Sequence, residues 1–172
     1  PCFGGRSLQR HVATAERADV PCEIVRSVRL GFAIDTAAPT HPVSVIAFDF
    51  DDFKQVNDRH GHAAGDHILR TTTALIASSF VRPEHLFARV GGEEFVIMLP
   101  DTAHATSVRI ADELRVTFAE RTFPWQESRI ALTASFGVAT ALSSADTPQA
   151  LLARADELLY ASKREGRNRV SG

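Results

Sequence analysis

The stretch that decides the fold is VSVIAFDFDD, Val43 to Asp52. Val43–Phe50 is apolar and rich in β-branched residues, the pattern of a strand buried on both faces. It runs straight into carboxylates: Asp49, Asp51 and Asp52. A central strand that ends in acids presents them at its C-terminal edge, where open α/β sheets hold ligands.

Downstream, Phe53–Arg59 suits a short helical turn, and Gly61 and Gly65 mark a loop. Asp66 is placed to cap a helix from His67 to about Val81, which Pro83 ends. Leu86–Arg89 and Phe95–Leu99 are strand-like runs joined by the glycine-rich turn Val90-Gly91-Gly92-Glu93-Glu94, which reads as a hairpin. Thr102 or His104 opens a helix reaching about Glu120. Arg129–Leu142 reads as one long strand, with Gly137 inside it marking a close backbone approach. Thr147–Lys163 is an amphipathic helix with a stripe of Leu151, Leu152, Ala155, Leu158 and Leu159. Gly166 stops it, and Arg169-Val170 suits a last edge strand.

Upstream, Pro39 and Pro42 interrupt the chain, and Glu23–Ile34 has near-helical apolar spacing. Residues 1–20 read as a tail or linker, leaving 21–172 as the folded unit. The chain starts at Pro1, so it is expected to be cut from something longer. The order α β α β β α β α β implies an α+β fold, a mostly antiparallel sheet covered by helices.

Composition bounds the function. At 172 residues, against a typical domain of about 150, one domain is expected. Apolar residues make up 44% and charged residues 23%, as in an ordinary globule rather than a disordered chain. The net charge of −2 gives no strong pull toward nucleic acid or anionic lipid. No apolar run is long enough to span a bilayer. Two cysteines, Cys2 and Cys22, make neither a disulfide framework nor a zinc site, which fits a reduced cytoplasmic compartment.

Three clusters carry chemistry. If the hairpin lies beside the first strand, Asp49, Glu93 and Glu94 converge. Hard oxygen donors of this kind suit Mg²⁺ shared with substrate phosphates, and two such ions form a phosphoryl-transfer clamp. Read alone, the same acids are as well explained as solubilising a surface turn. The second cluster is DFDDFKQVNDRHGHAAGD, residues 49–66. Turn N–H groups with Lys54 form a phosphate cradle. Asn57 and Asp66 have the donors and acceptors to read a guanine edge, although an Asx turn and a helix cap explain each singly. The third is Lys163, Arg164, Arg167 and Arg169 around Gly166, either a phosphate site or a solvated helix end. His60 and His62 lack zinc spacing, Trp125 suits a packing anchor, and Ser135 lacks a nucleophile's setting.

Together these residues resemble the GGDEF family, the diguanylate cyclase catalytic domain, in its GGEEF form. The name motif stands as Gly91-Gly92-Glu93-Glu94-Phe95. The D-x-D-x-F-K-x-x-N-D segment runs from Asp49 to Asp58, and G-H-x-x-G-D from Gly61 to Asp66. Ser135-Phe136-Gly137-Val138-Ala139 matches the S-x-G-V-A strand. The A-D-x-x-L-Y-x-x-K-x-x-G-R-N ending starts at Ala155-Asp156 and includes Tyr160, Lys163, Gly166, Arg167 and Asn168. The match covers roughly residues 40–170, in order and at family spacing.

The resemblance implies condensation of two GTP into cyclic di-GMP and two pyrophosphates. It implies a five-stranded sheet similar to the palm of nucleotide cyclases, with a ferredoxin-like core. Asp49, Glu94 and the backbone carbonyl of Phe50 would hold two Mg²⁺ or Mn²⁺ ions. Glu93 would deprotonate or orient the ribose 3′-OH, and Asn57 and Asp66 would read guanine. N–H groups at Phe53 and Lys54, with Lys163 and Arg167, would hold the phosphates. Each subunit binds one GTP, so a two-fold homodimer is required, driven by an upstream sensor or receiver domain. The family's inhibitory R-x-x-D site stands here as Arg82 and His85. Neutral imidazole offers one acceptor in place of a carboxylate, so product inhibition is expected at the active site rather than there. The family's opening D-x-L-T-G-L-x-N-R motif is missing. The competing expectation is a non-catalytic module that binds GTP or cyclic di-GMP and signals by contact.

Overall fold

All seven residues of β1 (Ser44–Phe50) are buried, because this strand runs through the middle of the sheet with both faces covered. The computed structural model describes residues 41–80, 82–141 and 146–172. The helix expected over 23–34 and the boundary expected after residue 20 lie outside the described residues. After β1 come α1 (Phe53–His60), α2 (His62–Ser79), β2 (Leu86–Gly91), β3 (Glu94–Leu99) and α3 (His104–Glu120). Then follow β4 (Thr122–Trp125), β5 (Ser128–Ala131), β6 (Ala134–Thr140), α4 (Pro148–Arg164) and β7 (Val170–Ser171).

The main sheet has five strands in the order β2-β3-β1-β6-β7. Pairing is antiparallel except between β6 and β7. This is the α+β architecture that the alternation of elements implies.

The period of two in β1 sorts its side chains between two layers. Ile46, Phe48 and Phe50 enter a core shared with Ile68 and Ile76 of α2 and with Leu114 and Phe118 of α3. Phe48 is its hub, with its ring centroid 4.9 Å from Phe95 and 5.2 Å from Phe136, both stacked. Val45 and Ala47 face the other way, onto Leu151, Leu152, Ala155 and Leu159 of α4. Asp49 continues that second set, so it emerges on the α4 face.

Gly137 sets how close α4 lies. A Cβ there would collide with the carbonyl of Ala155 and the amide of Leu159, so only glycine lets the helix backbone rest on β6. Ser162 locks the contact by donating to the Phe136 carbonyl at 2.6 Å.

Two expectations are corrected. The single strand over Arg129–Leu142 is two strands. β5 pairs with β4 in a separate two-stranded sheet, and β6 joins the main one. The switch falls at Thr133, whose carbonyl accepts from the Asp51 amide at 2.8 Å and whose hydroxyl donates to Asp51 Oδ2 at 2.6 Å. A tertiary bond makes this break, so the strand-forming composition runs through it unmarked. The helix expected from His67 with an Asp66 cap starts at His62 instead, and Asp66 lies inside it. Gly61, at φ +83°, closes α1 through its amide to the Asn57 carbonyl at 2.9 Å. It also opens α2, accepting from the Ala64 amide at 3.1 Å. One left-handed glycine therefore replaces the expected loop. Trp125 is a packing anchor, half-buried against the core with its ring 5.5 Å from His67.

Candidate active site

The hairpin does lie beside the first strand, and Asp49 of β1 is directly opposite Glu94 of β3. Opposed residues of an antiparallel pair share a face, a few ångströms apart at Cβ, so both carboxylates stand on the α4 side. Glu93 precedes Glu94 in the two-residue turn. Gly92 takes φ +51° there, and Arg89 Nε donates to the Gly92 carbonyl at 2.7 Å, fixing the turn. A Cβ on Gly92 would meet nothing within 4 Å, so the hairpin tip stays open to a ligand.

Lys163 reaches this cluster from α4, its Nζ 2.7 Å from Asp49 Oδ2. Asp156, seven residues earlier on the same stripe of the helix, adjoins Glu94 and Lys163 electrostatically. Burial pushes the Asp156 carboxyl upward, and the Glu94 charge adds to the effect. Burial likewise pushes Asp49 up to about 7; Lys163 pulls it down, while Glu93 and Glu94 push it up. Asp49 Oδ1 is buried with no hydrogen-bond partner. A buried carboxylate oxygen left bare, opposite a second carboxylate, fits a divalent cation. Among the described residues no three His, Cys, Asp or Glu side chains gather their donors into a metal site by themselves.

Asp51 is buried too, but its oxygens are taken. Ser135 donates to Oδ1 at 2.7 Å, and Thr133 and the Asn168 amide donate to Oδ2 at 2.6 and 3.1 Å. Asp52, in the left-handed region at φ 54°, opens α1 with no side-chain cap. The Asp52 side chain therefore leaves the first amides of α1, at Phe53 and Lys54, uncapped, and Lys54 is exposed. Arg167 Nε is 3.8 Å from Asp52 Oδ2, which brings the C-terminal basic cluster to the same end of β1.

Asn57 and Asp66 lie on successive helices around Gly61. Asn57 leans over Gly65, where a Cβ would collide with its Oδ1. That oxygen is buried without a partner, and Asp66 is exposed beside it in sequence on α2. Arg82 and His85 close a turn through the Arg82 backbone and the His85 ring. The Arg82 amide donates to His85 Nδ1 at 3.2 Å, and the His85 amide donates to the Arg82 carbonyl at 3.0 Å. Burial holds the His85 imidazole below the ordinary histidine range.

The structure thus brings Asp49, Glu93, Glu94 and Lys163 together, with Lys54 and Arg167 at the same strand end. It leaves Arg82 and His85 in a turn at the far end of β2. Lys163, expected on phosphate, is ion-paired to Asp49. Sequence reasoning gave no role to Asp51 or Asp156. The helical interval from 156 to 163 could have flagged Asp156, but the Asp51 bonds join residues 82 to 117 positions apart and leave no local signal. A separate cleft of about 620 Å³ runs between α1 and the β5 segment, lined by Gln55, Arg59, Arg129 and Thr133 among others. It includes none of Glu93, Glu94, Lys163, Asn57 or Asp66, so its size does not make it the reaction site. Among the described residues no helix is long and apolar enough to cross a membrane.

A family model for "Diguanylate cyclase, GGDEF domain" matches residues 26–169. The response regulator PleD of Caulobacter vibrioides is 44% identical over 133 residues, 76% of this chain and 29% of PleD. The chain therefore spans about a third of the length of such curated relatives. The GGDEF domain of DgcB from Caulobacter crescentus, solved in complex with c-di-GMP, superposes with a TM-score of 0.71 at 34% identity. It covers 76% of this chain and 77% of that one. The active GGEEF domain of a Vibrio cholerae diguanylate cyclase gives a TM-score of 0.69 at 36% identity, covering 76% and 82%.

Proposed function

Because this chain belongs to the diguanylate cyclase GGDEF domain family, we propose that it condenses two GTP into cyclic di-GMP and two pyrophosphates. The observation that supports this most is the pairing of Asp49 with Glu94 across adjoining strands, with Glu93 in the turn and one Asp49 oxygen buried and bare.

Asp49, Glu94 and the Phe50 carbonyl would hold the divalent cation, Mg²⁺ or Mn²⁺, as a pair of ions. When bound, such ions neutralise triphosphate charge and make the 3′-hydroxyl more acidic. The chain's own residues do the rest. Asn57 and Asp66 hold the guanine edge, and a site built to pair those groups rejects adenine by leaving its own polar atoms unpaired. The Phe53 and Lys54 amides, Lys163 and Arg167 hold the β- and γ-phosphates and stabilise the charge on departing pyrophosphate. Glu93 orients the 3′-hydroxyl and accepts its proton as the oxygen bonds to the α-phosphorus. Two such attacks close the ring and release two pyrophosphates.

One domain holds one GTP, so two copies meet face to face and each 3′-oxygen attacks the other's α-phosphate. Product returning to the guanine-reading site inhibits by competition. The Arg82–His85 turn carries His85 where the family's R-x-x-D carries Asp, and its imidazole acceptor is already used.

The test is incubation of dimeriser-fused protein with GTP and Mg²⁺, with products separated by chromatography. Cyclic di-GMP with pyrophosphate in a 1:2 ratio is the expected result. GTP that binds but is recovered intact would mark a binding module instead.

A further inference from the structure

Two buried carboxylates end the central strand region, and they are used in opposite ways. Asp49 keeps an oxygen bare, while Asp51 is saturated by Thr133, Ser135 and the Asn168 amide. We infer that Asp51 is a positioning residue that holds the Arg167–Asn168 turn against β1, and so places the Arg167 guanidinium for the phosphates. This rests on the phosphate role proposed for Arg167.

The turn needs such a tether. Gly166, Arg167 and Asn168 follow one another at positive φ, +115°, +61° and +44°. Left-handed backbone is unfavourable for residues with a Cβ and persists where surrounding bonds over-determine it. Three bonds do so. The Arg167 amide donates to the Ser162 carbonyl at 3.0 Å, and the Phe136 amide to the Arg169 carbonyl at 2.9 Å. The Asn168 amide donates to Asp51 Oδ2 at 3.1 Å. The first two tie the turn to α4 and β6. The third ties it to the segment that carries Asp52 and the first amides of α1, through a buried acceptor where the Arg167–Asp52 ion pair is half-exposed. An ionised acceptor makes this bond about twice as strong as a neutral one. The Thr133 and Ser135 hydroxyls, both donating, fix the carboxylate so that it cannot rotate away from Asn168. Arg167 thereby stands over the opening of α1, with its Nε 3.8 Å from Asp52.

The experiment measures GTP and GMP binding to the full chain with Mg²⁺, for the parent, Asp51→Ala, Asp51→Asn, Arg167→Ala and the Asp51→Ala/Arg167→Ala pair. GMP lacks the β- and γ-phosphates, so it does not report on Arg167. The parent binds GTP more tightly than GMP. Asp51→Ala lowers GTP affinity about tenfold and leaves GMP affinity unchanged, as Arg167→Ala does. The pair loses no more than Arg167→Ala alone. Asp51→Asn falls between, since its amide oxygen still accepts from Asn168 while the charge is gone. If Asp51→Ala does not fold, Asp51→Asn carries the test, with a GTP-selective loss and faster hydrogen exchange of the Asn168 amide.

Equal loss of GTP and GMP binding, or additive losses in the pair, would overturn the positioning role while leaving the phosphate site intact. So would an Asp51→Asn protein unchanged in both readouts. An Arg167→Ala protein that keeps the full GTP preference would overturn the phosphate reading, and the positioning role with it.

Discussion

Lys163 Nζ lies 2.7 Å from Oδ2 of Asp49, joining the last turn of α4 to the end of the central strand. The contact exists because Gly137 lets α4 settle directly on β6. One ion pair therefore records both the packing of the fold and the electrostatics of the site.

Burial of Asp49 makes stability depend on pH, and the metal affinity proposed for this site with it. Asp49 titrates at about 7 in the folded protein against 3.8 ordinarily, with burial as the main cause. Between those values the folded state keeps a proton that the unfolded state has released. Stability from this group is fully present below the lower value and is lost as pH rises through the upper one. A divalent cation needs the ionised carboxylate, so its affinity climbs over the same window. Melting in EDTA should show the loss, and the increment in Tm from Mg²⁺ should grow from about pH 6 to about pH 8. Lys163→Met removes the neighbour that lowers the Asp49 pKa and should move the window upward. An Mg²⁺ increment independent of pH would count against this account.

Gly137→Ala should be among the most damaging single changes. The added methyl meets helix backbone rather than a movable side chain, so α4 must lift off the sheet. Overpacking of this kind costs about 3 kcal/mol, readable by urea denaturation. Activity should fall further than the residual folded fraction explains, because Lys163 is drawn away from Asp49.

Gly65→Ala should separate guanine recognition from stability. In an exposed helix the change gains about 1 kcal/mol. Here the methyl takes the space of the Asn57 side chain. GTP affinity should drop about tenfold or more and preference over ATP should narrow, while circular dichroism keeps its helical signal. Unchanged nucleotide selectivity would show that Asn57 does not read the base.

Arg82→Ala should leave inhibition by cyclic di-GMP unchanged, since His85 stands where a carboxylate would be needed and its ring acceptor is taken by the Arg82 amide. An inhibition constant that worsens sharply in the variant would contradict that expectation.

Much of this was legible in local sequence. β1 announces itself because it is buried on both faces, and the hairpin because two glycines separate two apolar runs. The juxtaposition of Asp49 with Glu94 followed from placing that hairpin beside β1. Two features were hidden for physical reasons. The break between β5 and β6 is made by Asp51 reaching Thr133 across the fold, and strand propensity is indifferent to it. The start of α2 turns on Gly61 adopting φ +83°, after which Gly65, an apparent loop marker, is simply the helix residue that makes room for Asn57. The 155–168 motif supplied Lys163 and Arg167, but their partners Asp49 and Asp52 came only from the structure.

The proposed cyclisation depends on the carboxylates joined across β1 and β3. The most direct measurement is the initial rate of cyclic di-GMP formation at saturating GTP and Mg²⁺, with dimeriser-fused parent beside Glu94→Gln. Steady turnover is expected in the parent and a loss of about a hundredfold or more in the variant, with both proteins folded. A parent that makes no cyclic di-GMP, or a variant that turns over as fast, would contradict it.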